Sequence, residues 1–124
     1  MRNEIILAFV VMLLFACNDN NKDNVIGKYV NVFEPQANHY VELMADSTFL
    51  HYYKKSNETV KENKGSWKLL LTPKKTEVVF RTWKTFGYGD STDCNGCIRF
   101  VKINNGEMIF DSDLPNEMNF KKEK

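Results

Sequence analysis

His39 and His51 are the only histidines of this 124-residue chain, and Ala45-Asp46-Ser47 lies between them. The flanking residues alternate in apolar character with period two, so the segment reads as a hairpin. A short type I turn with Ser47 in the left-handed region suits the loop. Pairing Met44 with Thr48 then sets His39 opposite Tyr53 and Val41 opposite His51. The histidines become diagonal neighbours on one face, roughly 5–7 Å apart. That face carries His39, Val41, Leu43, Phe49, His51 and Tyr53; it is the more apolar one and should point inward. A one-residue slip would undo the arrangement. Two imidazoles plus a carboxylate could hold a metal, but the nearest carboxylate, Glu42, sits on the other face. The plain reading is a half-buried pair near a barrel mouth, hydrogen-bonded to Tyr53 or water. The functional reading is that His39, His51, Tyr53, Trp67 and Trp83 line a pocket for one small ligand. For the two tryptophans, core packing is the alternative.

Cys94-Asn95-Gly96-Cys97 has the C-x-x-C form. Redox dithiols of this form sit at a helix N-terminus, where the dipole lowers a thiol pKa. Here Ile98-Arg99-Phe100-Val101 follows, which is a strand pattern. A structural zinc site needs about four ligands, and two thiols fall short. The expectation is a Cys94–Cys97 disulfide that clips the loop from Phe86 to Gly96. So small a ring contributes shape more than stability. The same loop carries Asp90, Asp93 and Asn95, and Ser91-Thr92-Asp93-Cys94-Asn95-Gly96 begins like a calcium loop, but the closing glutamate position holds Lys102. Asx turns account for these residues. No nucleophile elbow, phosphate-binding glycine loop, paired catalytic carboxylates or dinucleotide fingerprint occurs. No catalysis, metal or cofactor is expected.

The elements that must position these residues begin after an address. Ile5 to Ala16 is an unbroken apolar run of twelve residues behind Arg2. It is too short to span a bilayer and suits a signal peptide. It ends in Leu14-Phe15-Ala16-Cys17, which resembles a lipobox. Residues 1–16 are therefore read as a signal peptide and Cys17 as the lipidated residue, with fatty-acyl chains such as palmitate as a membrane anchor. Residues 18–24, Asn-Asp-Asn-Asn-Lys-Asp-Asn, bury nothing and read with Cys17 as a flexible tether. Asn18 rather than Asp follows the cysteine, which points to the outer membrane of the cell envelope. With Cys17 lipidated, Cys94 and Cys97 remain as an even pair.

Residues 25–124 then form one domain. The formal net charge is +1, and the lysines are spread and mixed with glutamates, so no nucleic-acid partner is implied. Turn signals about every ten residues predict strands near 25–33, 38–44, 48–55, 58–63, 66–71, 76–84, 98–104, 107–111 and 117–121. Gly65 marks a bulge or corner, and Asn105-Gly106 is a type I′ hairpin signal. The fold class is all-β: about eight strands in an antiparallel up-and-down barrel, which removes exposed edges, or a barrel-like sandwich.

Gly27-Lys28-Tyr29, Leu43-Met44-Ala45-Asp46-Ser47-Thr48-Phe49 and Gly65-Ser66-Trp67-Lys68-Leu69 together resemble the small lipocalin-like lipoproteins of Gram-negative bacteria. The resemblance covers Gly27 to Leu71, with Tyr29 in place of the usual Trp and Ser47 in place of the usual Gly. It implies a barrel scaffold rather than a particular ligand. The leading expectation is a lipid-anchored envelope module that binds a small apolar or amphipathic ligand without catalysis. The alternative is a protein-interaction module, such as an inhibitor, an immunity-type protein or an accessory lipoprotein. Its contact would be the 86–96 loop through Phe86 and Tyr88.

Overall fold

The computed structural model describes residues 21–124. Residues 1–16, read above as a signal peptide, Cys17, read as the lipidated residue, and residues 18–20 lie outside the described residues. Eight strands run in chain order: β1 Gly27–Asn31, β2 Ala37–Leu43, β3 Thr48–Lys55, β4 Lys61–Leu71, β5 Thr76–Lys84, β6 Asn95–Asn104, β7 Glu107–Ile109 and β8 Phe120–Lys122. Each pairs antiparallel with its sequence neighbour, and β8 returns to β1, so the sheet closes as an up-and-down barrel. Closure leaves no free ladder edge, which decides against the sandwich.

The β2–β3 hairpin has the register set by its turn. Ser47 has φ 70°, and the Met44 amide donates to the Thr48 carbonyl at 2.9 Å. His39 pairs with Tyr53 and Val41 with His51. At the β6–β7 turn Asn105 and Gly106 both have positive φ, as a type I′ turn requires. Alternation along these strands sends Tyr29, Val41, Leu43, Phe49, Val78, Phe80, Trp83, Val101, Met108 and Phe120 into one buried core.

Three expectations are corrected. Residues 58–63 and 66–71 are not two strands, because β4 runs unbroken through Gly65. Its first half pairs with β3 and its second, from Trp67, with β5. Gly65 stands where β5 comes close: a Cβ there would lie 2.5 Å from the Arg81 carbonyl and 2.8 Å from the Phe49 ring. The final strand is shorter than expected, since Asn116–Met118 forms a 3-10 turn after Pro115. Residues 21–23, placed in the tether, are helical. Lys22 donates to the Ser47 hydroxyl at 2.6 Å, and Lys122 donates to the Asn24 carbonyl at 2.8 Å.

The barrel has two unlike ends. The tether end gathers the N-terminal segment, the tight turns after β2, β4 and β6, and residues 122–124. The loop end gathers the long connections after β1, β3, β5 and β7, and it carries the histidines.

Candidate functional site at the loop end

His39 on β2 and His51 on β3 are fully buried, not half-buried. They face each other rather than Tyr53: the two Nε2 atoms are 2.9 Å apart. His51 Nδ1 lies 3.0 Å from the Lys84 carbonyl. A carbonyl only accepts, so His51 Nδ1 carries its proton and His51 Nε2 is a bare acceptor. His39 Nε2–H then donates to it, leaving His39 Nδ1 a lone pair with no partner among the described residues. Burial lowers His39 to about 4, with Glu34 pulling the other way. Burial, and then the neighbouring His39, lower His51 to about 3. Both rings are therefore neutral at pH 7.

Aromatic rings fill the space around the pair. His51 is stacked on Trp83 with centroids 4.3 Å apart, and on Phe86 at 4.8 Å. His39 meets Tyr53 and Phe120 edge-on at 5.0 and 4.7 Å. Trp83 reaches this position through a bulge. Arg81 and Thr82 both face out between inward Phe80 and Trp83, and Thr82 takes φ 58°, a costly conformation for a β-branched residue. Asn63 replaces the interrupted ladder. Its amide donates to the Thr82 carbonyl, and its oxygen accepts from the Lys84 amide, both at 2.8 Å. Bulges of this kind re-aim a side chain at a barrel rim.

Beyond the histidines, the Tyr53 hydroxyl donates to Glu34, 2.8 and 2.9 Å from its two carboxylate oxygens. Lys55 approaches Glu34 at 3.2 Å. Burial and the Glu34 carboxylate push the Tyr53 phenol up to about 12. Gly87, at φ 59°, closes over the Tyr53 ring; a Cβ there would lie 2.5 Å from Tyr53 Cε2.

Asp90 anchors the loop after β5. It accepts from the Trp83 indole at 3.0 Å, from Thr92 N–H at 3.0 Å and O–H at 2.7 Å, and from Arg99 at 3.0 Å. Burial raises its pKa, but the hydrogen bonds from Arg99 and Thr92 outweigh that and hold it below the usual carboxylate range. Arg99 also donates to the Phe110 carbonyl at 2.7 Å. Cys94 and Cys97 are joined as a disulfide that ties the loop's exit to β6. Asn31 on β1 accepts from the Phe33 amide at 3.0 Å and donates to the Met118 carbonyl at 2.7 Å and that of Tyr88 at 3.3 Å. One side chain thus holds three loops together.

The sequence-derived residues divide accordingly. His39, His51, Tyr53 and Trp83 come together, but as packed core. Trp67 lies at the tether end, its indole donating to the Met44 carbonyl at 3.0 Å, with Lys22 above its ring. Phe86 turns inward onto His51. Tyr88 turns outward at 47 % exposure and meets Phe33 edge-to-face at 5.5 Å. Phe33 is 41 % exposed, so Phe33 and Tyr88 form an apolar knob on the loop end, beside exposed Val32 in the chain.

Sequence reasoning missed Glu34, Asn31 and Arg99. Arg99 carried a signal, since it shares parity with inward Val101. Among the described residues no group of three or more histidine, cysteine or acidic side chains is arranged to hold a metal ion. Comparison with protein-family models, with curated proteins and with solved structures returns no match.

Proposed function

We propose that the chain is a lipid-anchored module of the cell envelope, tethered through Cys17 at the outer membrane, that binds a protein partner with its loop end. The observation that carries this reading is the Phe33–Tyr88 pair, two exposed aromatic rings in contact across two loops. Exposed aromatics on pinned loops suit recognition, because little conformational entropy is lost when they are covered. Asp90, Asn31 and the Cys94–Cys97 disulfide supply the pinning. The knob also lies opposite the end from which the N-terminal segment leaves, so an anchored chain would hold it away from the bilayer. The lipobox-like Leu14-Phe15-Ala16-Cys17 and the resemblance of Gly27 to Leu71 to small lipoproteins support the anchor. A small ligand within the barrel has less support, since His39, His51, Tyr53 and Trp83 pack on one another and Trp67 lies apart at the tether end.

The test is a photoactivatable side chain at Tyr88, with Tyr52 on the outer barrel wall as control, in cells that produce the protein. A discrete adduct from position 88 that is absent at 52, and that disappears with Phe33→Ser, supports the reading. Equal adducts from both positions, or none, overturn it.

A further inference from the structure

The tether end plays no part in that binding, yet it carries a strong surface pattern. Three shallow depressions cross it side by side. The first two share Thr76, Ile103 and Asn104, and the second and third share Asn105 and Gly106. Lys74, Lys75 and Lys102 line the first, and Lys121, Lys122 and Lys124 line the third. Leu71, 50 % exposed, lines the middle one.

The acidic neighbours are largely committed. Glu77 lies 3.2 Å from Lys75, Glu107 3.9 Å from Lys121 and Glu123 4.0 Å from Lys28. Asp46, which accepts from Thr48, Asp23 and Glu42, across from Lys28, are further acids toward this end. Lys74, Lys102 and Lys124 form no ion pair among the described residues.

Chain length adds an independent constraint. The contacts of Lys22 with Ser47 and of Asn24 with Lys122 hold the N-terminal segment on this end. Residues 18–20 separate Cys17 from Asn21. At the reach of an extended chain, a lipid on Cys17 stands within about 14 Å of Asn21. The tether end therefore has to face the bilayer closely.

We propose that this end docks on anionic phospholipid headgroups, with Lys74, Lys102 and Lys124 meeting phosphates and Leu71 entering the headgroup layer. Basic side chains beside an exposed apolar residue are the chemistry that such a surface attracts. The proposal rests on the lipid-anchor reading.

The test uses the mature chain in vesicles of phosphatidylcholine, with and without phosphatidylglycerol, followed by hydrogen exchange. Amides of residues 71–77 and 103–107 exchange at least about fivefold more slowly in the anionic vesicles, the factor that a single one of the three lysines contributes near such a surface. Amides of residues 86–92 exchange alike in both, and added salt removes the difference. The triple variant Lys74→Gln, Lys102→Gln, Lys124→Gln loses the difference while keeping its melting temperature. Equal exchange in the two vesicles, with intact mass showing lipid on Cys17, overturns the docking. An intact mass without lipid overturns the anchor instead. Sedimentation of that chain with anionic vesicles then decides the docking separately, and a chain left in the supernatant overturns it.

Discussion

The Trp83 indole donates to one oxygen of the Asp90 carboxylate at 3.0 Å, and Arg99 donates to the other at 3.0 Å. One buried carboxylate thus joins the barrel core to the loop that covers it. Asp90→Ala strands the Trp83 N–H and a mostly buried guanidinium, so urea unfolding should show a loss of about 3 kcal/mol. A double-mutant cycle with Arg99→Met should recover part of that loss. Additive effects would mean that the two side chains do not act as a pair.

Acid should destabilise the protein through the histidines. Folding lowers His39 to about 4 and His51 to about 3 from an unfolded value of 6.5. Below pH 6.5 the unfolded chain binds protons that the folded chain refuses, so stability falls with pH down to the folded pKa values and is fully present above 6.5. Each histidine contributes a slope of about 1.4 kcal/mol per pH unit at most. Urea midpoints measured from pH 7.5 to 4.5 should drop accordingly, and His39→Phe should flatten the curve. An unchanged slope in that variant would remove His39 as a source.

Gly87 and Gly96 both have positive φ, 59° and 86°, but only Gly87 has close neighbours, while nothing lies within 4 Å of a Cβ at Gly96. Gly87→Ala should cost about 2 kcal/mol or more, conformational strain plus collision with Tyr53. Gly96→Ala should cost about 1 kcal/mol for strain alone. Equal losses would show that the loop gives way over Tyr53.

Phe33→Ser and Tyr88→Ser should leave the melting temperature nearly unchanged, within about 0.5 kcal/mol of stability. If either residue instead behaves as core, with losses of several kcal/mol, the knob is structural.

Reducing the Cys94–Cys97 disulfide opens only a short ring, so the global loss should be about 2 kcal/mol or less. Exchange of amides 85–96 should rise before that of the core strands. Intact mass before and after reduction checks the bond itself, through the gain of two protons.

The histidine pair was legible because a three-residue turn dictates its hairpin register, and the sheet period then fixes which residues are diagonal. The division between Trp67 and Trp83 was not. Both are inward residues on adjacent strands, and their separation arises from barrel stagger and from the Thr82 bulge, which period-two counting does not contain. Likewise Phe86 and Tyr88 are two positions apart in an irregular loop, where no period says which ring turns inward. The Asp90–Arg99 contact crosses from the loop to the next strand, and its partners are not sequence neighbours. The tether's helical turn stayed hidden because Lys22 and Asn24 gain their partners only when Ser47 and Lys122 reach the same barrel end.

The seam between β1 and β8 bears on how the molecule assembles. Every other ladder joins sequence neighbours and can zip locally from its connection. The seam rests on two short strands, with Tyr29 beside Lys122 and Val30 beside Lys121, drawn from nearly opposite ends of the described chain. Its loop-closure entropy makes it the slow step. Until it forms, the assembling chain carries two open edges that a second copy can occupy. Strand exchange between copies across this seam is therefore the misassembly to which the barrel is most prone.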